Sequence, residues 1–326
     1  MNLENFLVQQ NISVHLEEAV ISLSQAIIET SELIERAPIQ NQLGTLDQEN
    51  IQGEKQTELD VLSNNIFLNS LEKTTDIIGV VSEEINNEIV FDKQRRENQL
   101  IVFFDPLDGS SNVSSNISVG SIFSVYTVAH TNKIEINDFL QKGNKQVAAG
   151  FSVLGPSTLL VLTLGHGTFK FCLDRNYKQF LCVEKNIKIP EEAEEFAINM
   201  SNKRFWSEAV NAYVHDCQLG KEGPRKKNFN MRWVASLVAD INRILTRGGI
   251  YLYPKDNKRP EKTGRLRLMY EINPMAFIIE QCCGACTNGL HRILDFDPED
   301  IHQRVPVVIG AKKEVDVVSE YYQHLQ

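Results

Sequence analysis

"LIVFFDPLDGSSN", Leu100 to Asn112, runs five consecutive apolar residues into two aspartates, a proline, a glycine and two serines. The apolar half lacks polar alternation and reads as a strand buried on both faces. The acidic half ends that strand, where side chains can converge on a cleft. A plain turn would need the Gly, the Pro and one Asp. A second carboxylate is costly to bury unless something positive lies between the charges. Two readings stand, a solvated turn and a cation site, and the rest of the chain has to choose between them.

Working outward, Leu16, Ala19, Val20, Leu23, Ile27 and Ile34 recur at helical spacing, which predicts an amphipathic helix over 16–36. Leu59, Val61, Leu62, Ile66, Phe67 and Leu71 predict a second helix, entered through the polar "QGEKQTELD" at 52–60. Strand-like runs follow: "IIGVVSEE", "LIVFFD", "ISVGSIFSVYTVAH", "VAAGFSVLG", "TLLVLTLG" and "GTFKFCL", with Gly165-His166-Gly167 as a hairpin turn. From about Lys185 the pattern changes. "NIKIPEEAEEFAINMS" reads as a polar join, after which "MRWVASLVADINRIL" has helical spacing, "GGIYLYP" is a strand, "NPMAFIIEQCCGA" a helix and "VPVVIG" a strand. The expectation is therefore an α/β protein in two domains. Residues 1–188 carry helices and a mostly antiparallel sheet, and 189–326 an α/β domain. No solenoid period or low-complexity tract interrupts this.

Composition narrows the function classes. The 326 residues suffice for about two domains, and 42% apolar with 23% charged residues is ordinary for a globular protein. With 33 basic against 43 acidic residues the net charge is −10, which argues against a nucleic acid or an anionic membrane as partner. An anionic substrate would need cations gathered locally. No apolar run reaches the ~20 residues of a membrane span, and "MNLENFLVQQ" lacks the regions of a signal peptide. Six cysteines in this length read as thiols in a reducing, cytoplasmic setting. Cys282, Cys283 and Cys286 cluster in "QCCGAC", but a zinc site would want a second pair or histidines, and only His291 is near; they are expected to pack on an amphipathic helix.

The choice at Leu100–Asn112 turns on a wider acidic constellation. Asp60 in "ELDVLSN", Glu83 and Glu84 in "VVSEE", Asp105 and Asp108 in "FFDPLDG", and Glu271 in "LRLMYEINP" all stand at the ends of apolar runs. Hard divalent cations take oxygen ligands, chiefly carboxylates, substrate phosphates and water. Asp105 and Asp108, three apart across a Pro-containing turn, can face one ion cluster, and the Leu107 carbonyl can add an oxygen. Gly109 permits a sharp turn, after which the amides of Gly109, Ser110, Ser111 and Asn112 can point together at a phosphate. Any one of these motifs alone is ordinarily a solvated turn or loop end; four at element ends favour the cation site.

These residues resemble a known family. "DPLDGSSN" with "SVGSIFSVY" is similar to the signature of class I fructose-1,6-bisphosphatases, in the lithium-sensitive, metal-dependent phosphatase superfamily. The likeness continues through "GEKQTELDVLSN", "RWVASLVADINRILTRGGIYLYP" and "GRLRLMYEINPMAFIIEQCCGACTNG", from about residue 16 to about 315. "INMSNKRFW", "GKEGPR" and "NFNMRW" look most like the bacterial branch. The resemblance implies the layered αβαβα sugar-phosphatase fold and hydrolysis of the 1-phosphate of fructose 1,6-bisphosphate, with two or three Mg²⁺ (or Mn²⁺ or Zn²⁺) per site. It assigns the metals to Glu83, Asp105, Asp108, Glu271 and the Leu107 carbonyl, and activation of the attacking water to Asp60 and Glu84. Substrate contacts fall to Gly109, Ser110, Ser111, Asn199, Arg232, Tyr253 and Arg265. Arg232 is expected to reach a neighbouring subunit's site in a homo-oligomer, a tetramer.

Three departures from the family pattern stand in the distal pocket. Arg265 replaces a common lysine, and Trp233 and Asn202 replace phosphate-contacting tyrosines. At the position of the family's AMP site, Asn11–Glu18 lacks both glycines, and Gln99 and Leu100 stand for a Lys-Tyr pair, so AMP inhibition is expected to be weak or absent. Sedoheptulose 1,7-bisphosphate is an alternative substrate, and an inositol-phosphatase-like enzyme or a catalytically dead sugar-phosphate sensor are further readings. The first lacks its Trp-Asp-x-Ala-Ala-Gly stretch here, and the second would be expected to have lost a carboxylate.

Overall fold

Every residue from Gln99 to Asp108 is buried, and this strand is central to the molecule. In the computed structural model, which describes residues 1–42, 44–49 and 55–325, it lies in an eight-stranded sheet. It pairs in parallel with Ile77–Ser82 and antiparallel with Gly120–Val128. From there Ala148–Leu154, Thr158–Thr163, Thr168–Asp174 and Gln179–Lys185 continue as an antiparallel meander. The Gly165–Gly167 turn has both glycines at positive φ, as the hairpin requires.

Alternate residues of the central strand enter different cores, the period-2 rule of a two-faced layer. Leu100, Val102 and Phe104 pack with the helices Val14–Arg36 and Glu58–Lys73. Ile101 and Phe103 pack with Leu237–Arg247 and Asn273–Gln281. Those two helices are shared with a second sheet of five strands, ordered Asn230–Met231, Glu195–Ile198, Ile250–Tyr253, Val307–Ala311, Gly284–Thr287. Its far face is covered by Glu208–Leu219 and Lys312–His324. The layers therefore run α, β, α, β, α. Among the described residues no helix is long and apolar enough to cross a membrane.

Several local expectations are corrected. The polar join at 186–201 contains a strand, Glu195–Ile198, buried at all four residues; its acidic lead hides a short run that pairs on both sides. "MRWVASLVADINRIL" is helical only from Leu237, because Asn230–Met231 is an edge strand and 232–236 is a turn. Arg232 thus stands before the helix, not at its start, and no helix dipole opposes its charge. The helix over "NPMAFIIEQ" stops at Gln281, and Cys286 lies on the strand Gly284–Thr287, with Cys282 and Cys286 buried among apolar neighbours. The helix predicted from Leu59 begins at Glu58; the polar lead-in at 52–54 lies outside the described residues.

Candidate active site

In a regular strand, residues three apart point to opposite faces. Asp105 pairs with Ile122 but Asp108 with Gly120, so three steps on one strand span two on the other. The two aspartates therefore sit within the strand, across a bulge, and not beyond it in a turn. The bulge is held by Leu107 N–H donating to Asp105 Oδ1 at 2.9 Å and by Ser121 Oγ donating to the Pro106 carbonyl at 2.9 Å. Its extra residue brings both carboxylates to one side. Gly120 cannot be replaced, since a Cβ there would lie 2.0 Å from the Ser152 carbonyl oxygen.

Glu271 joins them from a π-helical turn, Leu268–Ile272, with its Oε2 accepting from Arg267 N–H at 2.5 Å. Carboxylate oxygens of Asp105, Asp108 and Glu271 lie within 4.8 Å of one another. Glu83 and Glu84 follow directly on Ile77–Ser82, and Glu83 N–H bonds the Phe104 carbonyl, extending the parallel pairing. Asp60 is the third residue of its helix. One of its oxygens accepts from Thr57 N–H (2.7 Å) and Thr57 Oγ1 (2.9 Å), while its own amide donates to Thr57 Oγ1 (3.2 Å), a reciprocal cap. All six acids, with Leu107, Gly109, Ser110 and Ser111, line one cleft of about 430 Å³.

Carboxylates crowded and buried this closely resist being ionised together. Burial pushes Asp108 to about 7 and Glu84 to about 8, the latter against a bond from Gln56 Nε2 to Glu84 Oε2 at 2.6 Å. Burial likewise pushes Glu271 to about 8, and raises Asp105, with Glu83 next among its causes. Four acids of this cleft with raised proton affinity, three of them buried and Glu84 half-buried, form a hard-cation donor set whose charge calls for cations.

Two groups in this site escaped the sequence reading. Arg267 is buried in the cleft wall, with Nη2 2.6 Å from Glu83 Oε1 and Nη1 3.7 Å from Glu271 Oε2. The alternation "RLR" at 265–267 was its one signal, since period 2 puts Arg267 on the same side as Arg265 and opposite Leu266. Gln56 had none.

Gly109, at φ +76°, turns the chain from the strand into a short 3₁₀ turn, Ser110–Ser115, in a conformation suited to glycine. The distal residues gather in part. Asn199 and Tyr253 line one crevice with Asn202, Trp206 and Asp256, and Arg265 Nη2 lies 3.4 Å from both Asp256 oxygens. Asp256 is a further missed residue. Arg232 is exposed and lines neither the cleft nor this crevice; its N–H bonds the Phe196 carbonyl at 2.8 Å. Trp233 stacks on Tyr251 at 5.4 Å and leans on Tyr253 at 5.8 Å, so the departure from tyrosine is absorbed by aromatic packing.

Comparison with known proteins agrees with this geometry. Residues 2–185 match the family described as fructose-1-6-bisphosphatase, N-terminal domain, and 189–323 its C-terminal domain. Among solved structures, the holo form of Leishmania major fructose-1,6-bisphosphatase is 33% identical, with a TM-score of 0.93 and 99% of each chain covered. The apo form of the same enzyme is 31% identical, with a TM-score of 0.87 and the same coverage. The αβαβα layers, the acidic cleft and these matches over nearly the whole chain lead to one conclusion: this protein belongs to the fructose-1,6-bisphosphatase family.

Proposed function

We propose that this protein hydrolyses the 1-phosphate of fructose 1,6-bisphosphate to fructose 6-phosphate and phosphate, with Mg²⁺ in the acidic cleft. The observation that carries the reading is the convergence of Asp105, Asp108 and Glu271 in a cleft that also exposes the Gly109–Ser111 turn. Glu83, Asp105, Asp108, Glu271 and the Leu107 carbonyl would hold two or three ions; Mn²⁺ or Zn²⁺ suits the same oxygens less selectively. When bound, the ions neutralise the phosphoryl oxygens and lower the pKa of water.

The chain's own groups supply the rest. Gly109, Ser110 and Ser111 orient the phosphoryl group, and Arg267 holds Glu83 and Glu271 in place. Asp60 and Glu84 take the proton of the attacking water. Glu84, at about 8 before cations enter, lies in the range where a carboxyl exchanges protons near neutral pH. Asn199, Tyr253 and Arg265 bind the sugar and distal phosphate, and the exposed side chain of Arg232 serves a neighbouring subunit of a homotetramer. The division into domains at about residue 188 belongs to the same reading and is supported by the extents of the two sheets. The cytoplasmic setting is supported by six free cysteines.

Phosphate release from fructose 1,6-bisphosphate, with and without Mg²⁺, tests the reading. Sedoheptulose 1,7-bisphosphate and myo-inositol 1-phosphate are run alongside. Metal-dependent release that favours fructose 1,6-bisphosphate and is lost in Asp105→Ala is the expected result. No turnover by the folded chain with Mg²⁺ present would overturn it in favour of a sugar-phosphate sensor.

A further inference from the structure

Behind the acidic cleft runs the turn Val234–Ser236, which leads into the helix Leu237–Arg247. Ser236 occupies the cap position of that helix but makes no capping bond to it. Instead the first-turn amide of Val238 donates to Asp108 Oδ2 at 3.0 Å, and Ser236 Oγ lies 3.5 Å from the same oxygen. A carboxylate 130 residues away in sequence thus serves the helix end. The turn also grips the loop beyond Asp108: Asn112 Nδ2 donates to the Ala235 carbonyl at 2.8 Å.

Ala235 aims that carbonyl only because its φ is +66°, a conformation a residue with a Cβ leaves unless its surroundings hold it. Asp240 is what holds it. Its carboxylate is fully buried and accepts from Val234 N–H at 3.2 Å and from the Ala235 amide. Arg243 Nη1 pairs with Asp240 Oδ1 at 2.7 Å. The same guanidinium reaches the Arg232 carbonyl at 3.1 Å and Glu195 Oε2 at 3.1 Å. One buried side chain therefore ties the first two residues of the turn to the helix that meets Asp108.

We propose that Asp240 is a positioning residue for the metal-binding carboxylate Asp108 and for the Gly109–Asn112 turn, acting through the Val234–Ser236 turn that it and Arg243 hold in shape. The proposal rests on the reading of Asp108 as a metal ligand. Groups that orient ligating carboxylates typically carry a tenfold or greater effect on metal affinity.

The test is Mn²⁺ binding to the full chain without substrate, followed by the loss of the free-ion paramagnetic resonance signal, with thermal unfolding as a parallel readout. Asp240→Asn is expected to weaken Mn²⁺ about tenfold, and Arg243→Gln to act in the same direction. Arg247→Ala, which removes an exposed partner of Glu195 on the same helix and touches neither the turn nor the cleft, is expected to bind as the parent does. A folded Asp240→Asn protein with unchanged Mn²⁺ affinity overturns the proposal. Should Asp240→Asn fail to fold, a folded Arg243→Gln with unchanged affinity overturns it equally. Parent protein that binds no Mn²⁺, or Asp108→Asn binding as tightly as the parent, removes the ligand reading and this proposal with it. Tight binding by the parent and by Asp240→Asn alike removes this proposal alone.

Discussion

Arg267 has its guanidinium between Glu83 and Glu271, and among the described residues it is the one cation lining the acidic cleft. Around it Asp108, Glu84 and Glu271 hold their protons to about 7 or 8, where exposed carboxyls release them near 4. Between pH 4 and 8 the folded, metal-free chain therefore binds more protons than the unfolded chain, and these groups cost it stability as pH rises. Cations reverse this by binding the ionised form. The expected outcome is a metal-free melting temperature that falls from pH 6 to pH 8, with a Mg²⁺-induced rise that is larger at pH 8; differential scanning calorimetry at both pH values checks it. Equal shifts would show that the acids are already ionised at pH 6. The same scale carries the expectation about AMP. Gln99 is buried, and its Oε1 accepts from Arg95 Nη1 at 2.6 Å and from Arg96 N–H at 2.9 Å, while His15 Nδ1 lies 2.5 Å from Asp76. These groups are committed to one another, so AMP inhibition of the initial rate is expected to be weak or absent. Half-inhibition by AMP would show that this cluster opens.

At the scale of elements, the acidic residues are placed by how strands and helices end. Asp60 is held by the reciprocal cap with Thr57, so Thr57→Ala is expected to cost about 1 kcal/mol of stability. That corresponds to a melting temperature lower by roughly 1–2 °C for a chain of 326 residues. It is also expected to lower kcat more than it raises KM, because Asp60 is loosened and the sugar contacts are not. Thermal unfolding and steady-state kinetics separate the two effects; an unchanged kcat with the expected melting shift would confine Thr57 to capping. The sequence made most of these elements legible. The helix read over 16–36, which the structure starts at Val14, the buried run at Leu100–Phe104 and the hairpin at Gly165–Gly167 follow local periodicity and turn chemistry. The bulge at Asp105–Asp108 was not legible, because pairing with Ile122 and Gly120 decides it. Nor was the strand Glu195–Ile198, whose four residues are too few to show a period.

In the whole molecule the cleft is lined from the eight-stranded sheet, from the helix Glu58–Lys73 and from the turn Leu268–Ile272. Arg232, exposed and outside that cleft, provides a test of assembly. Asp105→Ala and Arg232→Ala, each expected to be nearly inactive alone, should regain activity when mixed and re-formed together, because a subunit with its own Asp105 can then receive a neighbour's Arg232. No recovery in hybrids confirmed by native mass spectrometry would place Arg232 in its own subunit's site. By itself the sequence determined the parts set by near neighbours along the chain: the buried strand, the glycine turn and the carboxylates at element ends. Only the tertiary structure decided what those carboxylates meet. Arg267 on Glu83, Gln56 on Glu84, Asp256 on Arg265 and the Val238 amide on Asp108 are contacts between segments whose spacing in sequence carries no period. Such contacts form only when burial of the apolar layers has brought those segments together, and the polar groups caught inside must then find partners.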